Sequence, residues 1–555
     1  MKTESARAHI RGLLEQALAA AQAQNKLPPL ASTDVTVEYA PPEKADYASN
    51  LALRLSRAVR MPPMQVAEVI VAALPESPYL AEVTAAPPGF INFHLDETWL
   101  ARQVGEVIAQ GAAYGNCDVG GSTALQVEFC SANPTGPLTI GSGRNIVLGD
   151  TLARVLEAAN YAVQREYYVN DVGGQMDIFA RTLLARYQQL HGIDAHVPPD
   201  GYAGEYMVEL AGQIKQESGD ALLHVPEDEA LQKLHERGLA LMLDSIREDC
   251  ALLGAQFDEW VAQSWLEDEG RVQAAIDTLR ERGRVAEREG ATWLVSSDLE
   301  EDKDNVLVRS NGEPTYFAAD IAYHDYKLER GYTSLIDVWG ADHHGHVPRV
   351  KASLAALGHD PEQLTILLYQ LVRVLRGGEE VRMSKRTGDV VTVREVVDEV
   401  GVDASRYFLV ARSPDTAMSF DLDLAQEQSD ENPVYYIQYA HARTASILER
   451  AVREGMAPGD ADLALLQHPA ELTLLRLMIR LPELVEDVAL QHTPHRLAFY
   501  AQELAALFHA FYRDCRVIDP ENAALSQARL QLVQAAKLVF ARCLGLMGMS
   551  APDRM

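Results

Sequence analysis

Residues 124–169 have the pattern strand, loop, helix, strand, and this pattern constrains the fold more than any other stretch of the chain. The apolar runs ALQVEFC and AVQREYYV are typical of buried strands, and the helix-like stretch GRNIVLGDTLARVLEAAN lies between them. The apolar residues that share one face of this helix are Leu148, Leu152, Val155, Leu156 and Ala159. A strand, helix, strand unit joins parallel strands, so we predict an α/β fold with a parallel sheet and an amphipathic helix packed on it.

The length of the chain predicts more than one domain. At 555 residues it exceeds the size at which a single core stops growing, so we expect three domains. Residues 1–115 combine helical stretches, Pro-rich breaks and the strand pattern of AAPPGFINFHL, which indicates a small α+β domain. Residues 116–424 are expected to hold the parallel sheet, with a charged helical insertion at about 176–285. Residues 425–555 are helical nearly throughout and predict an all-α domain.

Composition limits the partners and the compartment. The chain has 49 basic and 80 acidic residues, a net charge of −31, so a nucleic-acid partner would need local basic patches. Five cysteines without a CxxC pair indicate reduced, mostly buried thiols rather than a disulfide framework or zinc cluster. Since no apolar run is long enough to span a membrane and no signal-type cleavage site is evident, we expect a cytoplasmic protein with no membrane partner.

The loop SANPTGPLTIGSGRN, residues 131–145, joins the first strand to the helix. Ligands of parallel sheets bind at such loops, because amide donors and the helix dipole favour anionic groups. Gly136, Gly141 and Gly143 would let a nucleotide approach the backbone closely. The loop matches neither GxGxxG nor a Walker A sequence, so a tight connection without a ligand is an equal alternative.

Two later stretches contain residues that are suited to binding a phosphate or a guanidinium group. In EEVRMSKRTGD, a flexible cationic loop could place Lys385 on a developing phosphate charge, although a basic surface loop is the simpler interpretation. In PTYFAADIAYH, Tyr316 and Asp320 are four positions apart and would share a helix face. A carboxylate beside an aromatic ring suits a guanidinium, and the alternative is a helix cap with a core tyrosine.

A third stretch, VWGADHHGHVPR, places His343, His344 and His346 after a strand. This spacing suits a metal, but acidic and cysteine ligands nearby are sparse. We therefore expect polar contacts to a nucleotide, and no metal site in the protein.

These and further motifs together resemble bacterial arginyl-tRNA synthetases, which are class I synthetases, from near the first residue to the last. The ordered motifs are DYASNLALRLS, PGFINFHL, VEFCSANPTGPL, REYYVNDVGGQ, PTYFAADIAYH, WGADHHGH, RMSKRTGD, FDLDLAQEQSDENPVYYIQYAHAR, FHAFYRDCRV and SAPDRM. The resemblance implies a Rossmann-like catalytic domain, an N-terminal domain that contacts the tRNA corner and an anticodon-binding domain at the C-terminus. It also implies that ATP, accompanied by Mg²⁺, activates arginine for transfer to tRNA-Arg, and we expect a monomer.

The resemblance implies roles for single residues. Glu128 and Asn133 match arginine-binding positions, and Tyr316 and Asp320 match the guanidinium-binding pair. Lys385 matches the second lysine of the K-M-S-K-S signature and would neutralise charge on the triphosphate. The expected ATP-binding residues are Gly141, His343, His346, Met383, Ser384 and Lys385.

The H-I-G-H signature of the family falls on residues 139–142, where this chain has Thr139 and Ser142 in place of the two histidines. We take both hydroxyls as candidate catalytic groups. A hydroxyl is shorter than an imidazole and uncharged, and losing one donor to a transition state typically costs about 100- to 1,000-fold in rate.

Three hypotheses for the function follow: a working arginyl-tRNA synthetase, a paralogue with another arginine-dependent reaction, and a noncatalytic tRNA-binding protein. The retained substrate residues and Lys385 favour the first two, and the loss of both histidines favours the last two.

Candidate tRNA contacts lie in both terminal domains. In the N-terminal domain they are Asn50, Phe90 and Asn92, which could equally finish turns and the local core. In the C-terminal domain the candidates for stacking and phosphate contacts are Tyr435, Tyr436, Tyr439, His441 and Arg443. Packing between helices is the alternative for the tyrosines.

Overall fold

The computed structural model describes residues 5–30, 34–296, 304–381, 391–456 and 459–555. Its first part is a four-stranded antiparallel sheet of order β1-β2-β4-β3 with helices around it. Alternate residues of the FINFHL strand are buried, as its apolar alternation predicts. The elements are α1 (Ala6–Ala23), β1 (Glu38–Tyr39), β2 (Tyr47–Ser49), α2 (Leu51–Val59), α3 (Pro63–Val71), β3 (Leu80–Ala86), β4 (Phe90–Leu95) and α4 (Glu97–Gln110).

The central part contains a five-stranded parallel sheet of order β12-β11-β5-β6-β7, which confirms the predicted α/β class. Its first elements are β5 (Ala124–Glu128), α5 (Ile140–Ala158), β6 (Ala162–Val169), α6 (Gly174–Leu190), α7 (Glu205–Ser218), α8 (Glu227–Leu252), β7 (Glu259–Ala262), α9 (Gln263–Asp268) and α10 (Arg271–Glu281). The predicted insertion therefore also contains a strand, β7, which extends the sheet next to β6.

The chain then adds two small sheets and returns to the parallel sheet. The strands β8, β9 and β10 form a separate antiparallel sheet, and β13 pairs with β14 and β15. The elements are β8 (Val285–Arg288), β9 (Ala291–Leu294), β10 (Asn305–Val308), α11 (Tyr316–Glu329), β11 (Ser334–Gly340), α12 (Val347–Leu357), β12 (Leu364–Tyr369), β13 (Val372–Arg376), β14 (Glu379–Glu380), α13 (Val393–Val400), α14 (Val402–Val410), β15 (Met418–Asp421) and α15 (Leu422–Gln426).

The last part is all-helical, as predicted. Its helices are α16 (Pro433–Arg453), α17 (Pro469–Met478), α18 (Leu481–Gln491), α19 (Arg496–Asp514) and α20 (Ala523–Leu546). The helix α20 packs against α16 and also against α4 of the N-terminal part. The boundaries at 115 and 424 stay a prediction. Within the described ranges, no helix combines the length and apolar character that a bilayer-spanning segment needs.

The prediction of an amphipathic helix after the first loop was wrong. Nearly every residue of α5 from Gly143 to Leu156 is buried, including the polar Arg144 and Asp150. The sheet covers one side of α5, and α14, α18 and α20 cover others. The helix α5 is therefore enclosed by the sheet, by α14 and by the C-terminal helices α18 and α20.

Two buried charged residues join the parts of the chain. Glu483 on α18 accepts hydrogen bonds from the backbone N–H of Arg7 at 2.8 Å and from the Tyr39 hydroxyl at 2.7 Å. Arg406 on α14 is fully buried and donates to the Met547 carbonyl at 2.6 Å and to Asp150 at 2.6 Å. A third bond of Arg406 goes to the Leu253 carbonyl at the end of α8.

We expect Arg406→Met to lower the free energy of unfolding by about 3 kcal/mol, because it leaves buried acceptors without their donor. Urea denaturation of the full chain measures the change. The control is Arg513→Met, whose guanidinium pairs with Asp514 at the surface, so its loss should leave the free energy of unfolding nearly unchanged. Equal effects of the two substitutions would contradict the assigned role of Arg406.

Candidate active site

A buried ammonium lies beside the carboxyl end of β5 and the middle of β11. Glu128 ends β5, and Asp337 is its direct neighbour in the register with β11, so both carboxylates are at the same level of the sheet. Lys327 on α11 is fully buried, with its Nζ 2.5 Å from Glu128 Oε2 and 2.9 Å from Asp337 Oδ1. One cation thus holds α11 against the central strands.

The two carboxylates differ in acidity. Burial raises the pKa of Glu128, and Lys327 only partly opposes that rise. Burial also acts to raise the pKa of Asp337, but Lys327 and His324 together outweigh it and lower that pKa. The pKa of Lys327 is raised, because the carboxylates outweigh its burial. Lys327 thus favours the ionised form of both carboxyl groups, against the effect of their burial.

His324 extends this network to the first turn of α11. Its Nε2 lies 2.9 Å from Asp337 Oδ2, and its Nδ1 lies 2.7 Å from the backbone carbonyl of Asp320. The side chain of Asp320 faces His346, with Oδ2 2.8 Å from Nε2. One imidazole thus contacts the backbone of Asp320 and another contacts its carboxylate.

Tyr316 is the first residue of α11, and Thr315 caps the helix by accepting from the Ala318 N–H. The phenol is 47% exposed, and its hydroxyl lies against Gly173, where a Cβ would stand only 2.5 Å from the oxygen. Gly173 has φ of +85°, so glycine suits this position for two reasons. The predicted pair Tyr316 and Asp320 therefore borders the loop that follows β6.

The other two predicted substrate residues reach the same loop. The amide of Asn133 donates to Gln175 Oε1 at 2.9 Å, at the start of α6. Glu128 accepts from the Ser131 hydroxyl at 2.8 Å, and that hydroxyl accepts from the Tyr168 N–H at 3.1 Å. The structure thus places Glu128, Asn133, Tyr316 and Asp320 around one edge of the sheet.

The histidine-rich stretch divides into exposed and packed residues. His343 is largely exposed beside Asp342, and His344 is exposed as well. His346 stacks on Trp339 at 5.7 Å between ring centroids, in addition to its contact with Asp320. His346 therefore lies next to the predicted guanidinium-binding carboxylate, and the contacts of His343 and His346 with ATP stay a prediction.

The first loop pairs with the chain that follows the signature lysine. The Ile140 N–H donates to the Val391 carbonyl at 3.1 Å, and the Val393 N–H donates to the Leu138 carbonyl at 2.9 Å. Lys385, Met383 and Ser384 themselves lie outside the described residues. Their downstream neighbours are thus hydrogen-bonded to the loop that carries Thr139.

Thr139 and Ser142 stand at the start of α5, both half-buried. Thr139 is the N-cap residue, but its side chain makes no capping hydrogen bond. Among the described residues, a Cβ on Gly141 would meet only the Thr139 hydroxyl, at 3.6 Å, so these residues leave that position open. A Cβ on Gly143 would come within 3.1 Å of Val393, so Gly143 serves packing, and the expectation that a nucleotide approaches it was wrong.

Three of the C-terminal tRNA candidates lie on one face of α16. The rings of Tyr435 and Tyr439 are stacked, with 6.0 Å between centroids and 7° between planes. The Arg443 guanidinium lies 4.6 Å from the Tyr439 ring centroid and donates to its hydroxyl at 2.7 Å. We call Tyr435, Tyr439 and Arg443 the α16 strip.

The remaining tRNA candidates differ in accessibility. His441 is buried and bonded to the Pro552 carbonyl at 2.8 Å, so its predicted tRNA contact was wrong. Tyr436 packs on His509, with 4.8 Å between ring centroids. Phe90 is exposed at the start of β4, whereas Asn92 lies in the middle of that strand. Asn50 precedes α2 and accepts from the Thr36 hydroxyl at 3.1 Å.

Lys327, His324 and Asp337 were not among the site residues predicted from the sequence. Two signals were available: Asp320, His324 and Lys327 follow one another at helical spacing, and Asp337 interrupts an apolar strand. In the described residues, no group of three or more His, Cys, Asp and Glu side chains is arranged to hold a metal ion.

Three family models match consecutive parts of the chain. "Arginyl tRNA synthetase N terminal domain" matches residues 8–95. "tRNA synthetases class I (R), catalytic domain" matches residues 103–200 and 213–445. "DALR anticodon binding domain" matches residues 437–555.

Individual proteins are similar over nearly the whole chain. An arginine--tRNA ligase of Dehalococcoides mccartyi is 49% identical over 546 residues, 98% of each chain. One of Carboxydothermus hydrogenoformans is 46% identical over 520 residues, 93% of each chain. The solved structure of Thermus thermophilus arginyl-tRNA synthetase has a TM-score of 0.78 at 26% identity and covers 98% of this chain and 100% of that chain.

We expect Lys327→Met to lower the free energy of unfolding by about 3–5 kcal/mol at pH 7, because two buried carboxylates lose their shared cation. Urea denaturation of the full chain measures this. Lys351→Met is the control, since its ammonium pairs with the exposed Glu362.

The pH dependence of this loss has a defined sign. Without Lys327, the pKa values of the two buried carboxyl groups rise above the unfolded values of about 4, so the variant gains stability as the pH falls and these groups protonate. In the parent chain the lowered pKa of Asp337 has the opposite effect, because that contribution to stability decreases as the pH falls. The difference between the two proteins should shrink from pH 7 to pH 5, and a constant difference would contradict the assignment.

Proposed function

The chain belongs to the arginyl-tRNA synthetase family and catalyses the ATP-dependent ligation of arginine to tRNA, and from this premise we propose which residues carry out each step. The alternatives of a repurposed paralogue and a noncatalytic tRNA-binding protein are not favoured. The observation that supports the residue assignment most is the position of Tyr316 and Asp320, beside the buried Glu128, Lys327 and Asp337 network.

Arginine binds with its guanidinium at the first turn of α11. The structure pairs Asp320 Oδ2 with His346, which leaves Oδ1 for a guanidinium N–H. The exposed ring of Tyr316 packs beside the same cation. Asn133 and Glu128 hold the rest of the amino acid at the end of β5.

ATP binds between the first loop and the segment that carries Lys385. The arginine carboxylate attacks the α-phosphorus and pyrophosphate leaves, and then a terminal hydroxyl of tRNA attacks the activated carbonyl and AMP leaves. Thr139 and Ser142 donate hydrogen bonds to the phosphates, and Lys385 neutralises charge as it develops. The open side of Gly141 and the N-terminus of α5 support this placement.

Mg²⁺ enters with the nucleotide. It prefers phosphate oxygens and water and is usually held by few protein ligands. The ion would offset phosphate charge.

The tRNA contacts two separate surfaces. The α16 strip stacks with unpaired anticodon bases, and its half-buried rings and guanidinium support this role. Phe90, with Asn50 and Asn92, contacts the corner of the tRNA. We also propose that the protein acts as a monomer, and ligation to tRNA supports a cytoplasmic location.

Asp320→Asn tests the guanidinium site. It removes the charge of the acceptor, so we expect the KM for arginine to rise about 10- to 100-fold, with the KM for ATP nearly unchanged. Arginine-dependent ATP–pyrophosphate exchange in the presence of tRNA measures both. Asp325→Asn is the matched control on the same helix, because Asp325 pairs with His359 at 2.6 Å. Similar arginine KM values for the two variants would refute the assignment.

Thr139→Val with Ser142→Ala tests the two hydroxyls. Loss of both donors should lower the exchange rate about 100-fold or more without changing the KM for arginine. Thr139→His with Ser142→His is the comparison: if the native hydroxyls suffice, this variant exceeds the parent by less than about tenfold. Full activity of the Val/Ala variant would exclude a catalytic role for both side chains.

A further inference from the structure

Two polar atoms at the carboxyl end of β6 are buried without a hydrogen-bond partner in the described residues: the hydroxyl of Tyr168 and the side-chain carbonyl of Asn170. Tyr168 is the last residue but one of β6 (Ala162–Val169), and Asn170 directly follows the strand. A buried polar atom without a partner costs stability, and natural proteins retain few of them. Two such atoms this close in the chain are therefore available to bind a ligand.

The surroundings of this pair indicate which ligand it takes. The Tyr168 ring lies 4.4 Å from the Tyr323 ring, one turn after Asp320 on α11. Gly173 in the loop just after Asn170 touches the Tyr316 hydroxyl. The two unpartnered atoms thus belong to the same edge as the proposed guanidinium site.

The charge around Tyr168 is negative. Burial, followed by the carboxylates of Asp320 and Glu128, raises the pKa of Tyr168, so the phenol stays protonated. A phenol oxygen and an amide carbonyl both accept hydrogen bonds. Acceptors surrounded by carboxylates suit a cation that has many N–H donors.

We propose that the Tyr168 hydroxyl and the Asn170 carbonyl accept hydrogen bonds from the guanidinium of arginine and help to select it over amino acids with a single ammonium. A guanidinium has five donors in a rigid plane, whereas an ammonium has three on a compact centre. Asp320 alone cannot satisfy five donors, and these two acceptors supply part of the remainder. The inference rests on the arginine site proposed above.

Tyr168→Phe tests the inference because it removes only the hydroxyl. In arginine-dependent ATP–pyrophosphate exchange with tRNA, we expect the KM for arginine to rise about 10- to 100-fold. The KM for ATP and kcat should stay within about twofold, because the hydroxyl does not touch the reacting atoms. The thermal midpoint of the unliganded variant should equal or exceed that of the parent, since a buried unpaired hydroxyl is gone.

Tyr187→Phe is the matched control. Its hydroxyl donates to the Gly219 carbonyl at 2.6 Å, between α6 and the end of α7, so its loss should lower the thermal midpoint and leave the KM for arginine unchanged. The two substitutions delete the same atom and should give opposite results.

Asn170→Ser is a second test of the inference if Tyr168→Phe does not fold. Arginine should raise the thermal midpoint of this variant by less than it raises that of the parent chain. Lysine, added at the same concentrations, should produce no such rise in the parent. The inference would be overturned if the KM for arginine of Tyr168→Phe stayed within twofold of the parent value. If Tyr168→Phe does not fold, the same result in Asn170→Ser would overturn it. Either result would leave the proposed function intact. Absence of arginine-dependent exchange in the parent chain would instead overturn the proposed function.

Discussion

The position of α11 depends on one buried ammonium shared by two carboxylates. Lys327 has no access to water, and Glu128 and Asp337 are fixed at one level by the pairing of β5 with β11. If α11 moved away, both carboxylates would remain buried without their cation, at a cost of several kcal/mol. The first turn of α11 is therefore held at the sheet edge, and Tyr316 and Asp320 are placed with it.

The same principle connects distant parts of the chain. Glu483 on α18 binds backbone and phenol donors of the N-terminal part, and Arg406 bonds the end of α8 and the end of α20 to α5. Each is a buried charge that is satisfied only when several segments are in place. The catalytic sheet and the C-terminal helices α18 and α20 pack around α5, the helix capped by Thr139, and α20 also packs against α4 of the N-terminal part.

Elements with strong local patterns were predictable, and long-range contacts explain what was missed. The run AVQREYYV was identified as a strand with its bounds, because apolar β-branched and aromatic residues favour buried strands. The burial of α5 on all sides was not predictable, since the residues that cover it are up to four hundred positions away. For the same reason Gly143 and His441 were misassigned: Val393 and Pro552 occupy the space that the local sequence left open.

Local residue chemistry established the α/β class, the helical C-terminal part and the pairing of a phenol with a carboxylate on one helix turn, because each depends on spacing within a few residues. Only the folded chain decided which charges are buried together. Lys327 is ten residues from Asp337 but about two hundred from Glu128, and burial acts on all three at once. Desolvation depends on everything that surrounds a group, so the acidity of Glu128 and the unpaired hydroxyl of Tyr168 emerge only when the strands and α11 have come together.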